Sequence, residues 1–169
     1  MRKDFQTWAS LDIATEVSGV ALWRGEALVL TRVVLGLTVA AWSESLAGVD
    51  GVVIEDGYVG PNKRTGMVLA AARARVATIA EMSTGAEVWG SLLASEWGRL
   101  VGMKSKARAA RKQEAVAMYR WLRTDPTRRP TGPTRWNGVH LATLRHDVTA
   151  DECDAVLLGL AWLRFTEEA

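Results

Sequence analysis

The length, composition and charge of the chain limit what it can be. Its 169 residues, 49% of them hydrophobic and 24% charged, suffice for one folded domain with a real core and exclude a disordered chain. No apolar run reaches the ~20 residues that cross a bilayer, and the N-terminal stretch lacks the apolar core of a signal peptide. The single Cys153 excludes an internal disulfide and a cysteine-built metal site. We therefore expect a cytoplasmic protein with no membrane partner.

The first half of the chain predicts a sheet that starts with three antiparallel strands. Apolar and β-branched runs predict strands at 8–14, 18–24 and 27–34, and Gly25-Glu26 predicts a two-residue hairpin turn between the last two. A helix at 37–47 and a short buried strand at 51–57 follow.

The second half alternates helices with a strand and ends in a loop and a helix. The predicted segments, in chain order, are a helix at 64–82, a strand at 86–90, helices at 91–101 and 107–123, a loop at 124–148 with a short extended piece at 138–144, and a helix from Thr149. This order predicts a single α/β domain whose mixed five-stranded sheet has three antiparallel strands, then parallel strands, and helices on both faces.

The net charge of +2 is unevenly distributed. Residues 99–136 hold eleven Lys and Arg against two acids, so this segment carries +9 and the remainder of the chain carries −7. A strongly basic segment indicates a polyanionic partner, but a charged run is more often a solvated helix face. Charge alone leaves both interpretations open.

Four acidic residues stand where their carboxylates could meet. Asp12 is placed in the middle of the first predicted strand, where an unpaired charge is costly. Glu55 lies at the carboxyl end of its strand, where α/β sheets bind ligands. Asp151 and Asp154 are three residues apart, so both can project from one face of the last helix. Glu152, by contrast, forms a Thr-x-x-Glu capping box with the threonine that starts this helix.

Three of these acids also have a structural explanation: Asp12 as a turn acid, Glu55 as a solvated loop residue and Asp151 as a helix-dipole acid. Four carboxylates converging without a cation would repel one another and raise at least one pKa. Divalent metal relieves the repulsion, and oxygen ligands with few histidines favour Mg²⁺, with Mn²⁺ as a substitute, over zinc. Two such ions, roughly 3.5–4 Å apart, can activate a water and stabilise the leaving oxygen in phosphodiester hydrolysis.

Three stretches carry a resemblance to a known family. They are "LDIATEVSGVALWRG", "VVIEDGYVGPNKRTGMVLAAARARV" and "DECDAVLLGLAW". In the same order and spacing, they resemble the acidic motifs of RuvC-type Holliday junction resolvases, which belong to the ribonuclease H-like superfamily. In that family an Asp on the first strand precedes a Gly that opens the second strand, as Asp12 and Gly19 do here. The last stretch matches a closing Asp-x-x-Asp-Ala motif.

The resemblance implies a homodimeric, metal-dependent endodeoxyribonuclease that resolves four-way DNA junctions by paired nicks. By it, the catalytic and metal-binding acids are Asp12, Glu55, Asp151 and Asp154, with two Mg²⁺ ions per site. In this hypothesis Asp12 bridges the ions, and Asp151 assists as a ligand or through a ligand. The loop "GMKSKARAARK" is longer and more basic than the corresponding loop of the family, and the loop at 124–148 is unusually long for the family. Both departures favour a divergent, bacteriophage-borne member in the host cytoplasm.

The basic stretch occupies the place where the family has a DNA-contacting loop and helix. The expected phosphate contacts are Lys104, Lys106, Arg108, Arg111 and Lys112. Tyr58 is expected either to stack on an unpaired base or to pack on the next helix. Arg73 and Arg75 are assigned to a solvated helix face, with a dimer seam as the second interpretation.

Other activities remain open on the residues alone. The same acids would serve a nuclease of this fold that acts on flaps, forks or RNA–DNA hybrids. A branched-DNA-binding module with a silent site is the alternative that is not an enzyme.

Overall fold

The structure is a computed structural model that describes residues 6–57, 62–105, 107–124 and 147–168. Its sheet has five strands in the order β3-β2-β1-β4-β5. Their bounds are β1 Thr7–Asp12, β2 Val17–Arg24, β3 Ala27–Leu35, β4 Gly51–Asp56 and β5 Glu87–Leu93. Strands β1, β2 and β3 pair antiparallel, and β1–β4 and β4–β5 pair parallel. The predicted mixed sheet is confirmed, with β1 at its centre.

Helices cover both faces of this sheet, as predicted. Their bounds are α1 Val39–Ser45, α2 Lys63–Ile79 with a π-helical turn at Ala80–Thr84, α3 Ala94–Leu100, α4 Arg108–Thr124 and α5 Ala150–Glu168. Successive strand residues alternate between two apolar clusters. Trp8 packs with α3, α4 and α5, whereas Ala9 and Leu11 pack with α1 and α2. Within the described residues no helix is long and apolar enough to span a membrane.

Most predicted boundaries differ from the structure by one to three residues, and two of these differences lie near the predicted acids. The first strand ends at Asp12 instead of continuing to residue 14, so Asp12 closes the strand rather than lying in its middle. The strand predicted at 86–90 continues to Leu93, and the helix predicted at 91–101 begins only at Ala94. The reason is pairing, because Ser91 and Leu93 continue the ladder with β4. The predicted extended piece at 138–144 lies outside the described residues.

Candidate metal centre

The start of α5 lies against the sheet beside the end of β1, at a position where the neighbouring strand β2 has a glycine. Asp12, the last residue of β1, pairs with Gly19 of β2. A β-carbon built on Gly19 would lie 2.0 Å from the carbonyl oxygen of Asp151. The first turn of α5 can therefore approach the sheet closely only because residue 19 is glycine. A hydrogen bond of 2.6 Å from the Ser10 hydroxyl to the carbonyl of Ala155 ties the second turn down as well.

Capping fixes the start of α5. The hydroxyl of Thr149 accepts the backbone N–H of Glu152 at 3.2 Å, and Oε2 of Glu152 accepts the backbone N–H of Thr149 at 2.8 Å. The predicted capping box is thus present. Oε1 of Glu152 also accepts from the Thr31 hydroxyl at 2.9 Å, which joins the cap to β3. Glu152 therefore fixes the start of α5 and its contact with β3.

Three of the four predicted acids come together in this region. Asp12, Asp151 and Asp154 each offer a carboxylate oxygen, and these oxygens all lie within 4.8 Å of one another. Asp154 is buried, while Asp12 and Asp151 are half-buried. The i, i+3 spacing on α5 thus places two carboxylates above the end of the central strand.

The fourth acid, Glu55, lies beside the cluster and is held separately. The parallel β1–β4 pairing includes Leu11 with Ile54, so Asp12 and Glu55 are the next residues on neighbouring strands. Oε2 of Glu55 accepts a hydrogen bond of 2.8 Å from the indole N–H of Trp97 in α3. Its charge still raises the pKa values of Asp12 and Asp154, so all four acids share one electrostatic site.

The acids are poorly stabilised as anions. Burial raises the pKa of Asp12 well above its usual value, and repulsion by Glu55, Asp154 and Asp151 adds to this, against a lowering by Lys112. Burial likewise raises the pKa of Asp154 to about 7, although Lys112 opposes the shift. Burial also raises the pKa of Glu55, opposed first by the Trp97 hydrogen bond. Such a site favours an added cation.

Lys112 of α4 supplies the nearest positive charge. Its ammonium donates a hydrogen bond to Oδ1 of Asp151 and lies 3.8 Å from Oδ2 of Asp154. Burial lowers the pKa of Lys112, but Asp151 and the other acids raise this pKa by a larger amount, so the net shift is upward. Lys112 was predicted as a phosphate contact, and in the structure it faces the acidic cluster.

The other predicted DNA contacts are distributed differently. Lys104 and Arg108 are exposed, whereas Arg111 is half-buried and lies over the ring of Trp97. Glu114 of α4 holds the loop before this helix, because its two carboxylate oxygens accept the backbone N–H groups of Lys104 and Ser105, each at 2.8 Å. The predicted contacts Tyr58 and Lys106 lie outside the described residues.

Three site features were missed at the level of sequence. Trp97 was not among the predicted site residues, Lys112 was assigned to the DNA, and Arg73 was assigned to a solvated face. Arg75 is indeed exposed, but Arg73 is half-buried, and its guanidinium lies where a β-carbon on Gly57 would be. Its charge helps to lower the pKa of Glu55, and its Nε is buried with no hydrogen-bond partner among the described residues. Their spacing in the sequence gives no signal for these placements.

Comparison with known proteins adds to this picture. No protein-family model and no curated protein sequence matches the chain. Among solved structures, Thermus thermophilus RuvC in complex with Holliday junction substrate superposes with a TM-score of 0.66 at 13% identity, over 97% of this chain and 96% of that chain. The fowlpox virus resolvase with Holliday junction DNA gives 0.59 at 13% identity, over 95% and 99%. The yeast mitochondrial Holliday junction resolvase gives 0.51 at 11%, over 99% and 81%. The chain therefore has the ribonuclease H-like fold of the RuvC-type Holliday junction resolvases.

Proposed function

We propose that this protein is a metal-dependent, structure-specific endodeoxyribonuclease that resolves Holliday junctions by paired nicks. The observation that supports it most is the cluster of Asp12, Asp151 and Asp154 at the end of the central strand, with Glu55 on the adjacent strand. The solved structures named above are of Holliday junction resolvases, two of them in complexes with junction DNA. The alternative activities of the same fold would use the same acids, so they are outcomes of the test below.

The donor set fits divalent metal of the magnesium type. All four side chains are carboxylates, which are hard oxygen donors. They are buried or half-buried, and burial raises the pKa values of Asp12, Glu55 and Asp154, with repulsion between the acids adding to the shift for Asp12 and Asp154. A divalent ion would offset this cost. We propose two Mg²⁺ ions per site, replaceable by Mn²⁺, held by Asp12, Glu55, Asp154 and, less directly, Asp151. Bound there, they would supply water activation and stabilisation of the leaving oxygen.

The residues of the chain divide the remaining work. Asp12 belongs to a strand paired on both sides, so its position is rigid. Lys104 and Arg108 are exposed and suited to phosphate contacts that position the DNA without reading its sequence. Glu114 fixes the loop that carries Lys104. Lys112 stays against Asp151 and balances part of the acidic charge.

A second copy of the chain is the proposed protein partner. In α2 the buried residues are Ala72, Val76 and Ile79, all in its C-terminal half. Met67 and Val68, in the other half, are 71% and 48% exposed. An apolar helical surface of this kind is typical of an interface, and a two-fold dimer matches two nicks on a two-fold junction. We place the protein in the cytoplasm, of a host cell if the gene is borne by a phage.

The test compares cleavage of a synthetic four-way junction, a flap and a linear duplex in Mg²⁺ by the wild type and Asp154→Asn. Asp50→Asn is the matched control, since Asp50 is exposed and lies just before the start of β4, whereas Glu55 lies at the other end of that strand. We expect the wild type and Asp50→Asn to cut the junction and Asp154→Asn to lose cutting. Equal cutting by all three contradicts the metal site, and cutting of flaps alone contradicts the resolvase. Binding of branched DNA without cutting by any variant favours the DNA-binding module.

A further inference from the structure

The indole of Trp97 is bonded to one acid of the metal centre. Trp97 is 2% exposed, and its N–H donates to Oε2 of Glu55 at 2.8 Å. A buried indole N–H needs an acceptor, and carboxylates that ligate metal are oriented by hydrogen bonds from outside the metal shell. One bond meets both requirements.

The face of the same indole is covered by α4. The guanidinium carbon of Arg111 lies 5.1 Å from the ring centroid, within cation–π range. The same guanidinium donates to the carbonyl of Ala94 at the start of α3. Gly98 leaves the room for it, because a β-carbon there would lie 2.9 Å from the Arg111 nitrogen. Trp97 is therefore held between a cation of α4 and a carboxylate of β4.

This bond makes the two oxygens of Glu55 unequal. Oε2 is engaged with the indole, which leaves Oε1 for other partners. A glutamate side chain has three rotatable bonds, and fixing one oxygen removes most of that freedom. The three-aspartate cluster does not include Glu55, so the orientation of Glu55 has to come from outside the cluster. Trp97 provides it.

We propose that Trp97 is a positioning residue of the metal centre: its indole N–H, steadied by Arg111, turns Glu55 so that Oε1 faces the metal. The inference rests on the proposed function, because Glu55 is one of the acids assigned to the metal. Within the described residues, the polar partners of the Trp97 indole are Glu55 and Arg111, and the proposed phosphate contacts Lys104 and Arg108 are not among them. Loss of Trp97 should therefore change metal affinity, and cleavage through it, while DNA binding stays the same.

The test is Trp97→Phe, which keeps an aromatic ring under Arg111 and removes only the N–H and part of the ring. Trp42→Phe is the matched control, since Trp42 is fully buried and donates its indole N–H to the carbonyl of Gly36 at 3.1 Å, on the opposite face of the sheet. Calorimetry with Mn²⁺ alone gives the affinity of each variant. Junction cleavage against Mn²⁺ concentration and junction binding in EDTA give the other readouts.

We expect the Mn²⁺ dissociation constant of Trp97→Phe to rise about tenfold or more, as for other residues that orient metal ligands. The Mn²⁺ concentration for half-maximal cleavage should rise in parallel, while junction binding in EDTA matches the wild type. Trp42→Phe should bind Mn²⁺ like the wild type. Equal Mn²⁺ affinity of the two variants overturns the role of Trp97.

Failure of the proposed function gives a different pattern. A wild type that binds Mn²⁺ but cuts no branched DNA contradicts the nuclease, and the comparison of affinities still decides the role of Trp97. A wild type that binds no Mn²⁺ contradicts both.

A second measurement uses the wild type alone and therefore does not depend on whether a variant folds. In the ¹⁵N-indole spectrum of the wild type, Mg²⁺ should shift the Trp97 resonance and leave that of Trp42 in place. An unmoved Trp97 resonance under Mg²⁺ saturation overturns the proposal.

Discussion

Replacing Gly19 by alanine tests whether the close approach of α5 to the sheet builds the acidic cluster. The added β-carbon would stand 2.0 Å from the carbonyl oxygen of Asp151, about 1.5 Å short of the ~3.5 Å at which non-bonded heavy atoms pack. The obstacle is backbone on both sides, so the first turn of α5 must move away from β2. Asp151 and Asp154 move with it, and Asp12 does not.

The size of this movement sets the expected effects. Overpacking of this kind costs about 1–3 kcal/mol of stability, and a displacement of about 1 Å in a reacting centre can lower the rate about 100-fold. We therefore expect Gly19→Ala to fold, to melt at a lower temperature, to bind Mn²⁺ more weakly and to cut junctions about 100-fold more slowly. Melting curves, Mn²⁺ calorimetry and single-turnover cleavage at saturating Mg²⁺ measure these quantities.

Gly159→Ala separates misplaced acids from general overpacking. Gly159 lies further along α5, where an added β-carbon would stand 2.5 Å from the buried ring of Trp23. This variant should lose comparable stability but keep its Mn²⁺ affinity. The reasoning is refuted if Gly19→Ala cuts at the wild-type rate, or if Gly159→Ala loses Mn²⁺ affinity to the same degree.

Three further changes test the charges around the centre. Asp12→Asn removes one of the mutually repelling acids and should abolish cutting while raising the melting temperature in EDTA; a lower melting temperature contradicts the repulsion. Lys112→Gln leaves Asp151 without its cation and should lower the stability in EDTA by about 1 kcal/mol, or roughly 2–4 °C of melting temperature. Bound Mn²⁺ should remove this deficit. An unchanged melting temperature in EDTA speaks against the pairing. The pKa of Glu114 lies below its ordinary value of 4.5, because hydrogen bonds from two loop N–H groups outweigh its slight burial. The folded state thus favours the Glu114 anion, so the stability advantage of the wild type over Glu114→Gln should be present above pH 4.5 and decrease as the pH falls further; an advantage that does not change with pH below 4.5 contradicts it.

The sequence predicts the parts of the centre that depend on local rules. Alternation and turn residues place Asp12 and Glu55 on strands, and the i, i+3 spacing aligns Asp151 with Asp154. These features follow from backbone geometry, so they can be inferred without knowing how the helices pack. Asp12 at the strand end, instead of its middle, is an error of two residues within the same inference.

The rest depends on packing between distant elements. Trp97 and Glu55 are 42 residues apart, and Lys112 and Asp151 are 39 apart. Whether these side chains meet is decided by how α3 and α4 lie on the sheet, which no periodicity encodes. Residues 91–93 show the same limit, because their sequence favours a helix while pairing with β4 extends the strand.

The most direct test of the resolvase hypothesis is the first product from a supercoiled plasmid that extrudes a cruciform. By the proposed function, a dimer with one metal centre per chain would nick both strands of the junction within one encounter, so Mg²⁺ should convert the plasmid directly to the linear form, and Asp154→Asn should leave it supercoiled. Accumulation of nicked circles alone, or cleavage that persists in Asp154→Asn, would contradict paired cutting at this site.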